Sequence, residues 1–138
     1  TASTTEGAQY VYCKKLVKNE TGERPLYTGY HSTVSAFYYG TLIVGDQFDG
    51  NFDGYSALDT NIPLSSLKEP TAFDSPTTFA VASVIPGWTA ALQLMRAGER
   101  WMLYIPWQSA YGSSGNNDGT IPGYTALTFD LLLERIVE

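Results

Sequence analysis

Residues 87–98 have the repeat of an amphipathic α-helix, and no other segment of the sequence shows it as clearly. The apolar residues of this segment follow the spacing i, i+3, i+4, i+7 and would form one face of a short helix: Trp88, Ala91, Leu92 and Met95. Pro86 precedes the segment and Gly98 can end it. A helix of about ten residues is marginal by itself in water, so it has to be buried against other structure.

The remaining regular structure is predicted to be extended. Stretches rich in Tyr, Val, Leu and Phe are typical of strands, and they lie at residues 9–18, 33–44, 100–105 and 126–133. Gly40 interrupts the second stretch, which indicates a bulge or the close approach of another group. We therefore predict an α+β fold, in which an antiparallel sheet of about five to six strands wraps around one short α-helix.

The length of 138 residues fits one domain. Residues 1–8 are small and polar and are predicted to be a flexible lead-in, with a single domain over residues 9–138. Residues 50–77 contain many Asp, Asn, Pro, Ser, Thr and Gly residues, and we predict an inserted surface loop, which we name the long connection. Loops of this length are unusual in a compact domain and often carry a function.

Charge and composition exclude several classes of partner. The net charge is −6 and no basic run occurs, so a nucleic acid would be repelled. No apolar run reaches the ~18 residues that a membrane-spanning helix needs. Cys13 is the only cysteine, which excludes an internal disulfide, and its strand-like surroundings predict a half-buried structural thiol.

Several catalytic classes are disfavoured as well. His31 is the only histidine and no G-x-S-x-G motif accompanies it, so a hydrolytic triad would depend on one residue in a turn. A zinc site needs several His or Cys ligands, and the chain has one of each. Phosphate-binding loops of the G-x-x-x-x-G-K-[ST] kind are absent from the sequence.

One acidic stretch allows two interpretations. The opening of a calcium-binding loop, D-x-[DN]-x-[DN]-G, is matched by Asp49, Asn51, Asp53 and Gly54. Thr60 stands where such a loop needs Glu, and Asp59 comes one residue too early. Asp49 also follows Phe48 after a strand-like run, where the two side chains could line a pocket. Weak calcium binding over residues 49–59 stays open at this point.

Nine short motifs occur in a fixed order along the chain. They are Tyr38-Tyr39-Gly40-Thr41-Leu42, Gly45-Asp46-Gln47-Phe48-Asp49, Val84-Ile85-Pro86-Gly87-Trp88, Ala91-Leu92-Gln93-Leu94-Met95, Gly98-Glu99-Arg100, Tyr104-Ile105-Pro106, Ala110-Tyr111-Gly112, Ile121-Pro122 and Leu127-Thr128-Phe129. In this order and spacing, the motifs resemble the FKBP-type peptidyl-prolyl cis–trans isomerases over residues 33–135.

This resemblance implies an enzyme that accelerates rotation about X–Pro bonds and assists the folding of proline-containing polypeptides. Desolvation and binding of the twisted amide in an aromatic pocket would lower the barrier, so that neither a cofactor nor a metal is expected. Macrolide inhibitors would bind in the same pocket. The alternative is a non-catalytic chaperone or partner-binding module that keeps the fold and uses the long connection.

The resemblance also implies which residues form the site. The residues expected to be catalytic are Tyr38, Phe48, Asp49, Trp88, Tyr111 and Phe129, and those expected to bind substrate are Val84, Ile85 and Ile121. Asp49 would accept a hydrogen bond from Tyr38, and Trp88 would lie under the proline ring. The family often has a second aromatic wall where this chain has Thr77, a departure that puts this wall in doubt.

A last expectation concerns the compartment. The chain begins with Thr1 rather than Met, and Ser, Thr and Tyr are plentiful. In these respects it is similar to exported bacterial members of the family more than to cytosolic ones. The resemblance therefore implies a protein of the periplasm or attached to the cell envelope.

Overall fold

A computed structural model describes residues 2–4, 7–9, 11–19, 21–22, 32–56, 58–59, 61–116 and 120–137. The helices and strands within these ranges are, in chain order, β1 (Ala2–Thr4), β2 (Gly7–Gln9), β3 (Tyr12–Val17), β4 (Thr33–Leu42), β5 (Gln47–Gly50), β6 (Thr77–Ala80), a 3-10 helix (Val81–Ser83), α1 (Pro86–Leu92), β7 (Arg100–Ile105), a second 3-10 helix (Trp107–Ser109) and β8 (Leu127–Ile136). His31 and Thr60, considered above for hydrolysis and calcium, lie outside the described residues.

Six of the strands form one antiparallel sheet in the order β3-β7-β8-β4-β5, with β6 paired to β4 beyond the end of β5. Both β5 and β6 lie on the edge of β4 that faces away from β8. The predicted α+β fold, an antiparallel sheet around one short helix, is confirmed. Strands β1 and β2 pair only with each other. The flexibility of residues 1–8 and the domain boundary at residue 9 stay predictions.

Helix α1 begins at Pro86, at the first helical position, where the missing N–H of proline costs nothing. The four residues of the predicted apolar face are all buried, as the periodicity required: Trp88, Ala91, Leu92 and Met95. The helix ends at Leu92, earlier than the predicted end at Gly98. The Arg96 backbone N–H donates to Glu99 Oε1 at 2.9 Å, which holds the chain in turns after the helix.

The inner face of the sheet packs on α1 and forms the main core. Its buried members from the strands include Val34, Leu103, Ile105, Leu127, Leu131 and Leu133. Gly87 lets the helix approach β7 closely, because a Cβ at this position would lie 2.7 Å from the Ile105 side chain. The start of α1 is thereby fixed close to the sheet.

Strand β4 is continuous through Gly40 and ends at Leu42. The prediction that the strand extends to Val44 is wrong. Gly45, with φ of +94°, donates its N–H to the Leu42 carbonyl at 2.9 Å and closes a tight turn into β5. Ile43 and Val44 in this turn are exposed.

The long connection covers the outer face of the sheet. Residues 51–76, between β5 and β6, contain neither helix nor strand within the part that the structure describes. They contribute to a second, smaller core, which comprises Leu16, Tyr55, Ile62 and Met102 with Leu67 and Tyr104 packed against it. The predicted surface loop is therefore anchored by its own buried side chains, and both faces of the sheet are covered.

Two smaller predictions can be compared with the structure. Cys13 is exposed, so the prediction of a half-buried thiol is wrong; the reason is that β3 is an edge strand of the sheet. Among the described residues, no helix has the length and apolar character needed to cross a bilayer.

Candidate functional site

A cleft of about 320 Å³ opens between the start of α1 and the inner face of the sheet. It is lined by Tyr38, Phe48, Asp49, Phe79, Ser83, Val84, Ile85, Trp88, Tyr111 and Phe129. The structure thus brings together eight of the nine residues that the sequence predicted for the site, from β4, β5, β8, α1 and the loops beside them. Their chemical roles stay predictions.

Trp88 is the centre of the aromatic lining. Its side chain is almost fully buried, and three other rings pack edge-on against the indole. The centroid distances are 5.3 Å to Tyr38, 5.0 Å to Phe79 and 5.2 Å to Phe129. Each such pair contributes ~0.5–1.5 kcal/mol beyond the burial of area. The indole is therefore held in one orientation before any ligand binds.

Phe48 and Phe129 form a further edge-on pair, with centroids 5.6 Å apart. Both rings lie over Gly40 of β4. A Cβ on Gly40 would lie 2.7 Å from Cε1 of Phe129 and 2.8 Å from Cζ of Phe48. The close approach predicted from a glycine within a strand is confirmed, and the groups that approach are two rings of the cleft.

The polar part of the cleft is a hydrogen bond between Tyr38 and Asp49. The Tyr38 hydroxyl donates to the Asp49 carboxylate. Burial raises the pKa of the Tyr38 phenol above its ordinary value, and the hydrogen bond and the negative charge of Asp49 raise it further. Asp49 Oδ1 also accepts the Gly50 N–H at 2.8 Å. The carboxylate is thereby oriented at the rim of an otherwise aromatic cleft.

The loops supply the remaining lining. Val84 and Ile85 are half-buried and join the first 3-10 helix to α1, with Ile85 at the N-cap of that helix. Tyr111 is 38% exposed and follows the second 3-10 helix. Ile121 does not line the cleft but lies in the inner core with 1% of its surface exposed. Its backbone N–H donates to Asn116 Oδ1 at 2.9 Å, which fixes the loop over the core.

Two residues of the lining, Phe79 and Ser83, were not predicted from the sequence. Thr77 left a second aromatic wall in doubt, and the structure has an aromatic ring of the cleft on the same strand, Phe79 of β6. Its ring packs edge-on against Tyr38 at 5.5 Å and against Trp88. Since Phe79 is two residues after Thr77, it lies on the same face of the strand, and this alternation was the signal that could have identified it.

The acidic residues of the suggested calcium loop have separate partners. The Asp59 carboxylate accepts the Ser56 N–H at 2.7 Å, and Asp53 lies 3.8 Å from the Lys68 ammonium. Within the described ranges, no group of three His, Cys, Asp or Glu residues could share a metal ion. Asp49 lines the cleft beside Phe48, as the second interpretation of this residue predicted.

Comparisons with known proteins agree on one family. A family model described as FKBP-type peptidyl-prolyl cis-trans isomerase matches residues 28–134. The macrophage infectivity potentiator of Trypanosoma cruzi is 52% identical over 76 residues, which are 51% of this chain and 38% of that protein. The outer membrane protein MIP of Legionella longbeachae is 40% identical over 106 residues, 77% of this chain and 34% of that protein.

A solved structure gives the same result for the fold. A peptidyl-prolyl cis-trans isomerase from Pseudomonas syringae pv. tomato matches 93% of this chain and 76% of its own, with a TM-score of 0.69 and 30% sequence identity. This chain spans little more than a third of the length of the two curated relatives, 38% and 34%.

Proposed function

Because the chain belongs to the FKBP-type peptidyl-prolyl cis-trans isomerase family, we propose that it catalyses rotation about X–Pro peptide bonds and so assists the folding of proline-containing polypeptides. The observation that carries this proposal is the cleft: an open, ring-lined cavity with a fixed indole below and a single oriented carboxylate at the rim. Such a cavity fits an apolar ring attached to a polar amide.

The physical task is to twist an amide. The uncatalysed barrier is ~18–20 kcal/mol, because the partial double bond between carbon and nitrogen is lost in the twisted state. Water stabilises the planar amide by hydrogen bonding to its polarised carbonyl. A dry aromatic cleft removes this stabilisation from the ground state, and complementarity to the twisted form lowers the barrier further. The chemistry requires neither a nucleophile nor a cofactor.

The lining residues have distinct roles in this proposal. The proline ring lies on Trp88, between walls formed by Tyr38, Phe48, Phe79 and Phe129. These rings exclude water and position the prolyl nitrogen over the rim of the cleft. The role of the walls is therefore desolvation.

The amide next to the proline ring meets the polar groups. The Ile85 backbone N–H and the Tyr111 hydroxyl bind carbonyls of the substrate, and the Asp49 carboxylate stabilises the twisted amide while it orients Tyr38. Val84 packs beside the ligand. Ile121, which lies in the core behind the loop, supports the lining without touching the substrate.

The test is the rate of cis-to-trans conversion of an X–Pro tetrapeptide by wild type, Asp49→Val and Trp88→Ala. We expect each substitution to lower kcat/KM by at least about tenfold, which corresponds to ~1.4 kcal/mol of transition-state stabilisation. Circular dichroism should show an unchanged fold for Asp49→Val, because this residue lies at the exposed rim.

Matched control variants are available for both substitutions. Asp46→Val changes an exposed aspartate in the turn before β5, and Trp107→Ala changes a tryptophan that packs on Tyr124 outside the cleft. Both should retain the wild-type rate. Wild-type protein without activity above background would refute the proposed function, and equal activity of Asp49→Val and wild type would refute the assignment of the site.

We also propose that macrolide inhibitors bind in the same cleft. Macrolides of the type that FKBPs bind carry an apolar ring next to carbonyl groups. The aromatic side chains of this cleft can contact the apolar ring, and its polar groups can bind the carbonyls. We expect such a macrolide to compete with the X–Pro peptide. Trp88→Ala should abolish this competition, whereas retained macrolide binding by Trp88→Ala would place the ligand elsewhere.

A second candidate function is a non-catalytic module that binds partners through the long connection. The observation in its favour is Phe73, which is 97% exposed on a turn closed by hydrogen bonds between Thr71 and Asp74. An inactive wild type that still prevents aggregation of an unfolded polypeptide, and loses this activity in Phe73→Ser, would support the module over the enzyme.

We propose that the protein is exported and resides in the periplasm or at the cell envelope. It is supported by the printed name of one relative, an outer membrane protein of Legionella longbeachae. Fractionation of the source cells with an antibody against this domain tests the proposal. Recovery of the protein from the cytosolic fraction alone would contradict it.

A further inference from the structure

One asparagine fills a gap in the sheet beside the cleft. Pairing of β4 with β5 ends at Tyr39 and Gly50, and pairing of β4 with β6 begins at Ala36 and Thr77. Between these two ladders, one edge of β4 lacks a strand partner. Asn51, the first residue after β5, occupies this position.

Asn51 makes the hydrogen bonds that a missing strand would make. Its backbone N–H donates to the Tyr38 carbonyl at 2.9 Å, and its side-chain Oδ1 accepts the Tyr38 N–H at 2.7 Å. Its Nδ2 donates to the Ala36 carbonyl at 3.0 Å. The side-chain amide thus substitutes for a peptide group, because it offers one acceptor and donors in the same plane.

The same side chain reaches the start of β6. Asn51 Nδ2 donates to Thr77 Oγ1 at 3.0 Å. Asn51 is therefore bonded to β4 and β6 while it directly follows β5. Each of these strands carries a residue of the cleft close to the contact: Tyr38 itself, Asp49 two positions before Asn51, and Phe79 two positions after Thr77.

Strands β5 and β6 have four residues each, and the β4–β5 ladder has a register shift between Gly40 and Thr41. Short and irregular ladders provide few hydrogen bonds, so each additional bond has a large influence on where the strand lies. At this end of both strands, Asn51 supplies four bonds from one residue.

We propose that Asn51 is a positioning residue of the isomerase site, which sets the placement of Tyr38, Asp49 and Phe79 around Trp88. This inference rests on the proposed function, since it assigns Asn51 a part in the rate. Asn51 touches no substrate, and it acts through the strands that it joins. Loss of the amide is expected to misplace the groups that meet the twisted amide more than the indole that binds the proline ring.

The decisive variants are Asn51→Leu, which removes every side-chain bond at similar volume, and Asn51→Asp, which keeps an acceptor for the Tyr38 N–H but loses the donors to Ala36 and Thr77. We expect Asn51→Leu to lower kcat by about tenfold with KM changed less than about twofold, because small misplacements of reacting groups are costly. The kcat of Asn51→Asp should lie between those of Asn51→Leu and wild type. All rates are measured at a temperature where thermal melts show every variant folded.

Thr71→Val is the matched control. It removes a hydroxyl that is hydrogen-bonded to Asp74 within the long connection, and neither Thr71 nor Asp74 is bonded to a residue that lines the cleft. If Asn51 only stabilised the long connection, Asn51→Leu and Thr71→Val would have the same kcat and KM. This result, or a kcat of Asn51→Leu within about twofold of wild type, would overturn the inference.

A readout independent of activity separates this inference from the proposed function. The Trp88 indole N–H resonance, identified from a Trp88→Phe spectrum, reports on the rings of Tyr38 and Phe79 that pack against it. We expect this resonance to move in Asn51→Leu and to stay in place in Thr71→Val. If wild type proved inactive, the proposed function would fail, and an unmoved Trp88 resonance would separately overturn the positioning role.

Discussion

Arg100 and Asp130 form a two-pronged ion pair that is completely buried on the outer face of the sheet. Arg100 Nε donates to Asp130 Oδ1 at 2.8 Å and Nη2 donates to Oδ2 at 2.7 Å. The Tyr55 backbone N–H donates to the same Oδ2 at 3.0 Å, and the guanidinium lies over the rings of Phe52 and Tyr55. The pair therefore joins the long connection to the strand that carries Phe129.

The first prediction follows from this burial. Asp130→Leu removes both bonds of the buried carboxylate to Arg100 and leaves this charge, among the described residues, with only Glu69, which is 3.5 Å away and largely exposed. We expect the free energy of unfolding to fall by about 3–5 kcal/mol. Urea denaturation measures this loss. Asp53→Leu removes the partner of Lys68 in an exposed pair at 3.8 Å and should cost about 0–1 kcal/mol. A loss for Asp130→Leu no larger than that for Asp53→Leu would contradict the prediction.

The second prediction concerns alkaline pH. The pKa of Tyr38 is raised in the folded state, so the folded protein releases this proton at higher pH than the unfolded chain. The contribution of Tyr38 to stability is complete below about pH 10 and is lost as pH rises toward the raised value. Denaturation between pH 8 and pH 11 should show a steeper loss for wild type than for Tyr38→Phe. Parallel curves would show that neither burial nor Asp49 raises the pKa of the phenol in the folded protein.

The third prediction concerns the glycine under two rings of the cleft. In Gly40→Ala the new methyl group overlaps the rings of Phe48 and Phe129, and we expect a loss of about 1–3 kcal/mol in stability together with reduced kcat/KM. The additional change Phe48→Leu removes the overlap at 2.8 Å but leaves that with Phe129 at 2.7 Å, so it should restore only part of the stability and none of the rate. Full activity of Gly40→Ala alone would show that the rings are not held against this position.

The fourth prediction tests the wall that the sequence analysis missed. Phe79→Ala removes two edge-on ring pairs, which lowers stability, and it opens the cleft to water, so that kcat/KM should fall by about 3- to 10-fold. Phe73→Ala, which changes an exposed phenylalanine of the long connection, should leave the rate unchanged. Equal rates for the two variants would remove Phe79 from the site.

The sequence predicted the parts of the fold that depend on local pattern. The burial of Trp88, Ala91, Leu92 and Met95 follows from helical spacing, and the crowding at Gly40 follows from a glycine inside a strand. The family resemblance carried by the motif order, and no local pattern, identified eight of the cleft residues.

The parts that the sequence could not predict depend on contacts between distant residues. The Glu99 carboxylate accepts the Arg96 N–H in the turns after the helix, and Asn116 accepts the N–H of Ile121 in the loop over the core. The bond between Asn51 and Thr77 joins residues 26 positions apart, and no periodicity reveals it. These contacts become visible only when the strands are paired.

The position of the long connection decides where this domain can vary in length. The chain leaves the sheet at Asn51, beside the cleft, but then crosses to the opposite side and packs Tyr55 and Ile62 against the back of the strands. Extra residues accumulate behind the sheet rather than in front of Trp88. Evolution can therefore lengthen or decorate this segment while the entrance for a polypeptide stays unobstructed.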